Sequence, residues 1–105
     1  MIKLFNIKLL VLEEPGRLRE VFYSMEGILT NICKPIRLGA SYICSVSKNT
    51  LISVYLSGNL KNFQLLIEIE SEDAEELTST LDRIINELKS KGIHITLFNT
   101  STTSL

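Results

Sequence analysis

The sequence predicts a small α+β domain, an antiparallel sheet with two helices on one of its faces. Three observations carry this: alternating apolar residues at both ends of the chain and in its middle, two segments with helical apolar spacing, and turn residues at each change of period. The 105 residues, 45% hydrophobic and 22% charged, suffice for one globular domain. They hold too much Ile, Leu and Val for a disordered segment.

In the first segment Phe5, Ile7, Leu9 and Val11 fall at every second position, with Asn6 and Lys8 between them, which is strand periodicity. Leu10 and Leu12 make its far end apolar on both faces. Glu13-Glu14-Pro15-Gly16 then ends the strand, because proline cannot donate to a ladder and glycine tolerates unusual backbone angles. A helix follows from Gly16 or Arg17. Leu18, Val21, Phe22 and Met25 lie on one of its faces, and Arg17, Arg19, Glu20 and Glu26 lie elsewhere.

Two ends are open to this helix. Ile28, Leu29 and Ile32 continue the apolar face toward Cys33, where Pro35 forces a stop. Alternatively Gly27 is the C-terminal cap and Ile28–Arg37 is already the next strand.

Tyr42–Val46 and Thr50–Leu56 both alternate, with Lys48-Asn49 as a hairpin turn between them. Ser57-Gly58-Asn59 is a second turn signal, and Phe63, Leu65, Ile67 and Ile69 alternate with Gln64, Glu68 and Glu70. The second helix has an N-cap and acidic first turn in Ser71-Glu72-Asp73 and an apolar stripe of Ala74, Leu77, Leu81, Ile84, Ile85 and Leu88. Lys89 and Lys91 sit at its negative end and Gly92 caps it. Ile93, Ile95 and Leu97 form a last strand. Residues 99–105, rich in Ser and Thr, are expected to fray as a flexible tail.

The order strand, helix, two or three strands, helix, strand fits a ferredoxin-like βαββαβ sandwich with an additional strand or hairpin in the middle, over residues 1–98. One face of its sheet would carry Leu10, Leu12, Tyr55 and Leu66. That is too apolar for free exposure, and a sheet from another subunit is the natural cover.

Chemistry is sparse. His94 is the single histidine and has no recognisable nucleophile beside it, so no catalytic group is assigned. The carboxylates at Glu13/Glu14, Glu68/Glu70 and Glu72–Glu76 are explained by a solvated strand face and a helix N-terminus. No spacing converges three metal ligands, and neither GxGxxG nor GxxxxGK[ST] is present, so no metal or cofactor is expected. With 11 Lys+Arg against 12 Asp+Glu and the basic residues Lys34, Arg37, Lys48 and Lys61 scattered, no nucleic-acid partner is expected. The longest apolar run is Leu9–Leu12 and Met1-Ile2-Lys3 starts no signal peptide, so the expectation is a cytoplasmic protein without a membrane partner. Cys33 and Cys44 are read as small apolar core or near-core residues, with a disulfide between them, in a thermophile's cytosol, as the alternative.

One segment points to binding. After a strand and a tight Pro-Gly loop, the backbone N–H groups at a helix start can hold a carboxylate. Leu9-Leu10-Val11-Leu12-Glu13-Glu14-Pro15-Gly16-Arg17-Leu18 resembles the opening of an ACT domain, the small regulatory module of amino-acid metabolism. Gly27 and Asn31-Ile32 fall where that family has a Gly after the first helix and an Asn-Ile pair opening strand two, which favours the Gly27 end for the helix. Leu38–Asn62 is longer than the family's usual link, and a second register sets Tyr42 near the usual Asn.

The resemblance implies a non-enzymatic regulatory domain that binds an amino acid or related effector at the first loop and a dimer interface, alone or docked on a metabolic enzyme or regulator. Glu14, Pro15, Gly16, Arg17, Leu18, Asn31 and Ile32 would be its ligand-binding residues. The alternative is a ligand-free structural or interaction subunit, such as an Lrp-type oligomerisation module.

Overall fold

The computed structural model describes residues 2–59 and 62–104. Lys61, counted above with the scattered basic residues, and Met1 and Leu105 lie outside them. The elements are β1 (Lys3–Leu12), a 3-10 turn (Pro15–Arg17), α1 (Leu18–Thr30), β2 (Lys34–Leu38), β3 (Ser41–Ser45), β4 (Thr50–Asn59), β5 (Asn62–Ser71), α2 (Ala74–Ser90) and β6 (His94–Ser104). All six strands form one sheet in the order β2-β3-β4-β5-β1-β6, with every neighbouring pair antiparallel.

This order corrects the expected ferredoxin-like βαββαβ sandwich. The chain runs βαββββαβ: four consecutive strands make a meander between the helices, and β1 is inserted between the last of them and β6. The cause is local. Ile28 and Leu29 stay on the buried face of α1, so the helix continues past Gly27 to Thr30, and Gly27 is an interior helix residue rather than a cap. Pro35 lies one residue inside β2, and Gly39, at φ +62, turns that strand back onto β3. What the sequence suggests as one strand from Ile28 to Arg37 is a helix end, a turn and a short edge strand.

The core lies between the sheet and the helices. Leu9, Val11, Tyr42, Cys44, Ile52, Val54, Leu65, Ile67 and Ile69 meet Leu18, Val21, Phe22, Met25, Ile28 and Leu29 of α1 and Leu77, Ile84 and Leu88 of α2. Strand side chains alternate between faces, so Leu10, Leu12, Tyr55 and Leu66 lie on the face away from the helices. Leu66 is buried yet stands outside the core cluster, and Leu12 is half exposed.

Asp73 caps α2, its carboxylate accepting from the backbone N–H of Glu75 at 2.9 Å and of Glu76 at 3.3 Å. The apolar stripe of α2 is completed by Thr80, which is buried, whereas Ala74 is exposed.

Two further expectations change. Cys33 and Cys44 are joined as a disulfide, with Cα atoms 5.8 Å apart, tying the turn after α1 to β3. The segment from Asn99, expected to fray, continues β6 to Ser104 and pairs with β1 down to Lys3. Its threonines are β-branched and suit an extended ladder, and β1 offers a strand long enough to receive it. Among the described residues no helix is long and apolar enough to cross a membrane.

Candidate functional site

The loop from Glu13 to Leu18 is built around the 3-10 turn. Proline at its first position has no N–H to lose, and its fixed φ suits a helical start. The Arg17 N–H donates to the Glu14 carbonyl at 2.9 Å, and the Leu18 N–H donates to the Pro15 carbonyl. Two of the backbone donors on which carboxylate binding at this helix start would depend are thus already engaged. Gly16 is exposed, and a Cβ built there meets nothing within 4 Å.

The residues singled out in the sequence do not converge. Glu14, Pro15, Gly16 and Arg17 are exposed at the start of α1, and Leu18 is buried in the core. Asn31 and Ile32 lie at the other end of the helix, about 20 Å away for a helix of 13 residues. Asn31 has a structural task there. Its side-chain amide donates to the Glu87 carboxylate at 3.1 Å, and its carbonyl accepts from the Arg83 guanidinium at 3.2 Å, linking α1 to α2. Ile32 packs against the core.

A different set of residues does converge. Arg17, Glu20, Val21, Ser24, Gly27 and Ile28 recur along one side of α1 at spacings of three and four, and face Lys91 and Ile93 in the link from α2 to β6. Between them is a cleft of about 410 Å³, within the size range of small-molecule sites. Ser24 and Gly27 are small, which leaves the groove open at its middle. Val21, Ile28 and Ile93 are buried and give it an apolar floor.

The rim is charged. The Arg17 guanidinium lies 3.3 Å from the Glu13 carboxylate and 3.9 Å from that of Glu20. These pairs orient it at the cleft mouth without removing it from water. Lys91 contributes a second cation from the opposite wall. Ser24 donates its hydroxyl proton to the Val21 carbonyl at 2.7 Å, so its oxygen is presented as an acceptor.

Of the expected site residues only Arg17 lines this cleft. Its other members do not stand out in the sequence, where Glu20 falls off the apolar face and Gly27 reads as a cap. Their signal is the 17, 20/21, 24, 27/28 recurrence, visible only once the helix is carried past Gly27. Lys91 stood out only as a charge at a helix C-terminus. Another cleft, of about 320 Å³, is lined by Leu12, Glu13 and Phe63 together with two of the expected residues, Pro15 and Leu18.

Among the described residues no group of three or more His, Cys, Asp or Glu side chains is arranged to hold a metal ion. His94 opens β6 and is exposed.

No protein-family model matches the chain, and no curated protein matches it. Among solved structures it is similar to a de novo designed protein, Foldit4, with a TM-score of 0.53 and 12% identity over 98% of each chain. At that identity the likeness is one of fold.

Proposed function

We propose that this chain is a non-catalytic regulatory domain that binds a small carboxylate, an amino acid or a related effector, in the cleft beside α1. The observation that supports it is the pairing of an apolar floor, Val21, Ile28 and Ile93, with two cations on opposite walls, Arg17 and Lys91. A carboxylate bridges such a pair of cations, and an apolar side chain covers the floor. The likeness of Leu9–Leu18 to the opening of an ACT domain agrees with this reading at the level of the loop. The proposal does not use that family's architecture, from which the six-stranded order departs.

The test is a thermal-shift series with the twenty amino acids and simple carboxylates, since a ligand that binds the folded state alone raises the melting temperature. The expected result is stabilisation by a carboxylate that Arg17→Ala and Lys91→Ala each remove, with the unliganded melting temperature unchanged. Absence of any shift, or a shift that survives both substitutions, overturns the proposal.

A second reading, a ligand-free interaction subunit, is favoured by the face opposite the helices, where Leu10, Leu12, Tyr55 and Leu66 form an apolar band. In that reading Leu10→Lys abolishes assembly, while no small molecule alters the melting temperature.

A further inference from the structure

We propose that β6 is a self-pairing edge, and that two copies of this chain join antiparallel through Asn99–Ser104 to make one continuous sheet of twelve strands. The proposal is independent of the cleft and of the apolar sheet face.

The two edges of the sheet differ in kind. β2 is five residues long and is blunted by Lys34, Pro35 and Arg37. The Arg37 guanidinium lies over the Tyr23 ring, 4.9 Å from its centroid, and its Nε donates to the Gly39 carbonyl at 3.3 Å. Charge and proline are the usual protections of an edge strand. β6 carries neither. It is eleven residues long, His-Ile-Thr-Leu-Phe-Asn-Thr-Ser-Thr-Thr-Ser, with no Lys, Arg, Asp, Glu, Pro or Gly, and it pairs only with β1 among the described strands.

A register shift divides it. Lys8 faces Asn99 and Leu9 faces Leu97, so Phe98 is an extra residue that kinks the first half. The remaining stretch, Asn99–Ser104, is unbroken and exposed, and its three threonines suit an extended strand. The β1–β5 register begins at Phe5, so Thr103 and Ser104 pair with β1 residues, Leu4 and Lys3, that have no β5 partner in that register. In those last two rows only β1 and β6 continue the ladder, so an added strand supports a two-stranded ribbon there.

The occupant that fits is a second copy. A strand with no charge meets itself without like-charge repulsion, and antiparallel pairing is the only kind this sheet uses. With a two-fold axis between Ser101 and Thr102, Asn99 faces Ser104 of the other copy, Thr100 faces Thr103, and Ser101 faces Thr102. Every cross-strand pair then joins two hydroxyl or amide side chains, combinations that stabilise antiparallel neighbours. The contact is isologous, so it closes as a dimer rather than propagating.

The register dictates the experiment. Mass in solution, measured by light scattering over a concentration series, is expected to show a dimer. Thr100→Lys with Thr103→Lys sets lysine against lysine at two symmetric positions and should raise the dimer dissociation constant at least about tenfold. Mixing that double variant with its Thr100→Glu, Thr103→Glu counterpart should restore a dimer containing one copy of each. A monomeric wild-type protein at all concentrations overturns the proposal. So does a dimer that tolerates the lysine pair, including one that Leu10→Lys dissociates instead.

Discussion

Cys33, in the turn that leaves α1, is covalently bonded to Cys44 in β3, with 5.8 Å between their Cα atoms. The bond bridges a separation of 11 residues, and that span contains the whole of β2. The edge strand is therefore held at its N-terminal side by a covalent tie and on its flank by the β3 ladder.

Cutting this tie has a calculable effect. A closed loop of this length restricts the unfolded chain enough to stabilise the fold by about 2–3 kcal/mol. Cys33→Ser with Cys44→Ala is expected to lower urea-unfolding stability by that amount, and addition of a thiol reductant to the wild-type protein should lower it similarly. Equal stability of the oxidised and reduced protein would show that the tie contributes nothing.

Tyr42 gives the fold an alkaline limit. It is almost wholly buried, its ring centroid 4.7 Å from that of Phe22. Burial raises its hydroxyl pKa above the ordinary 10.0, the Glu26 carboxylate and Tyr23 raise it further, and the Arg37 guanidinium opposes them. An acid whose folded pKa is raised loses its proton first in the unfolded chain, so stability falls as pH climbs above about 10. Below that pH the group is neutral in both states and makes no difference. Tyr42→Phe should flatten the decline between pH 9 and 11 in melting experiments, about one unit either side of the ordinary tyrosine value. A decline of the same slope in the variant would assign it elsewhere.

Thr50 and Ser71 form a buried polar pair where β4 and β5 meet the start of α2. Their hydroxyl oxygens are 2.7 Å apart, and the Ser71 oxygen also accepts from the Asp73 N–H at 3.0 Å. Thr50→Val keeps the shape and removes one partner, with an expected cost of about 1–2 kcal/mol in urea unfolding. Ser71→Ala should cost at least as much, because it also releases the N–H of the residue that caps α2. A smaller loss for Ser71→Ala than for Thr50→Val would refute that ordering.

Gly58 sits at φ +112 in β4, and a Cβ there would collide with the Asn62 backbone. Gly58→Ala is expected to destabilise by about 1–3 kcal/mol, whereas Gly27→Ala, in an open interior helix position, should stabilise by about 0.5–1 kcal/mol. Calorimetry of the two variants checks the contrast, and loss of stability in both would remove it.

The elements that read cleanly from sequence were those whose local signals agree. β1, the β3–β4 hairpin and α2 each have a clear apolar period, interrupted in α2 by Thr80, and turn or cap residues at the right ends. The end of α1 was ambiguous because Gly27 gives a stop signal while Ile28 and Leu29 continue the buried face. Burial won, as tertiary contacts commonly override propensity. β2 is short and mostly exposed, so it has no alternation to read. Asn99–Ser104 carries a composition common to frayed ends and to threonine-rich strands, and only the reach of β1 decides between them. For the candidate site, Arg17 was legible from its loop, but the cleft depends on Lys91 and Ile93, more than 70 residues further along. No local pattern reveals that approach.

The last register pair of the β1–β6 ladder, Lys3 with Ser104, brings the two extremities of the described chain side by side, about 5 Å apart. A link made at that point would close the strands into a ring of connectivity. A short linker across that gap, with a new opening at the exposed Gly39-Ala40 turn, would give a circular permutant whose strands keep their neighbours. In such a chain β2 would lie at one terminus and β3 at the other, with the cystine still spanning the cut.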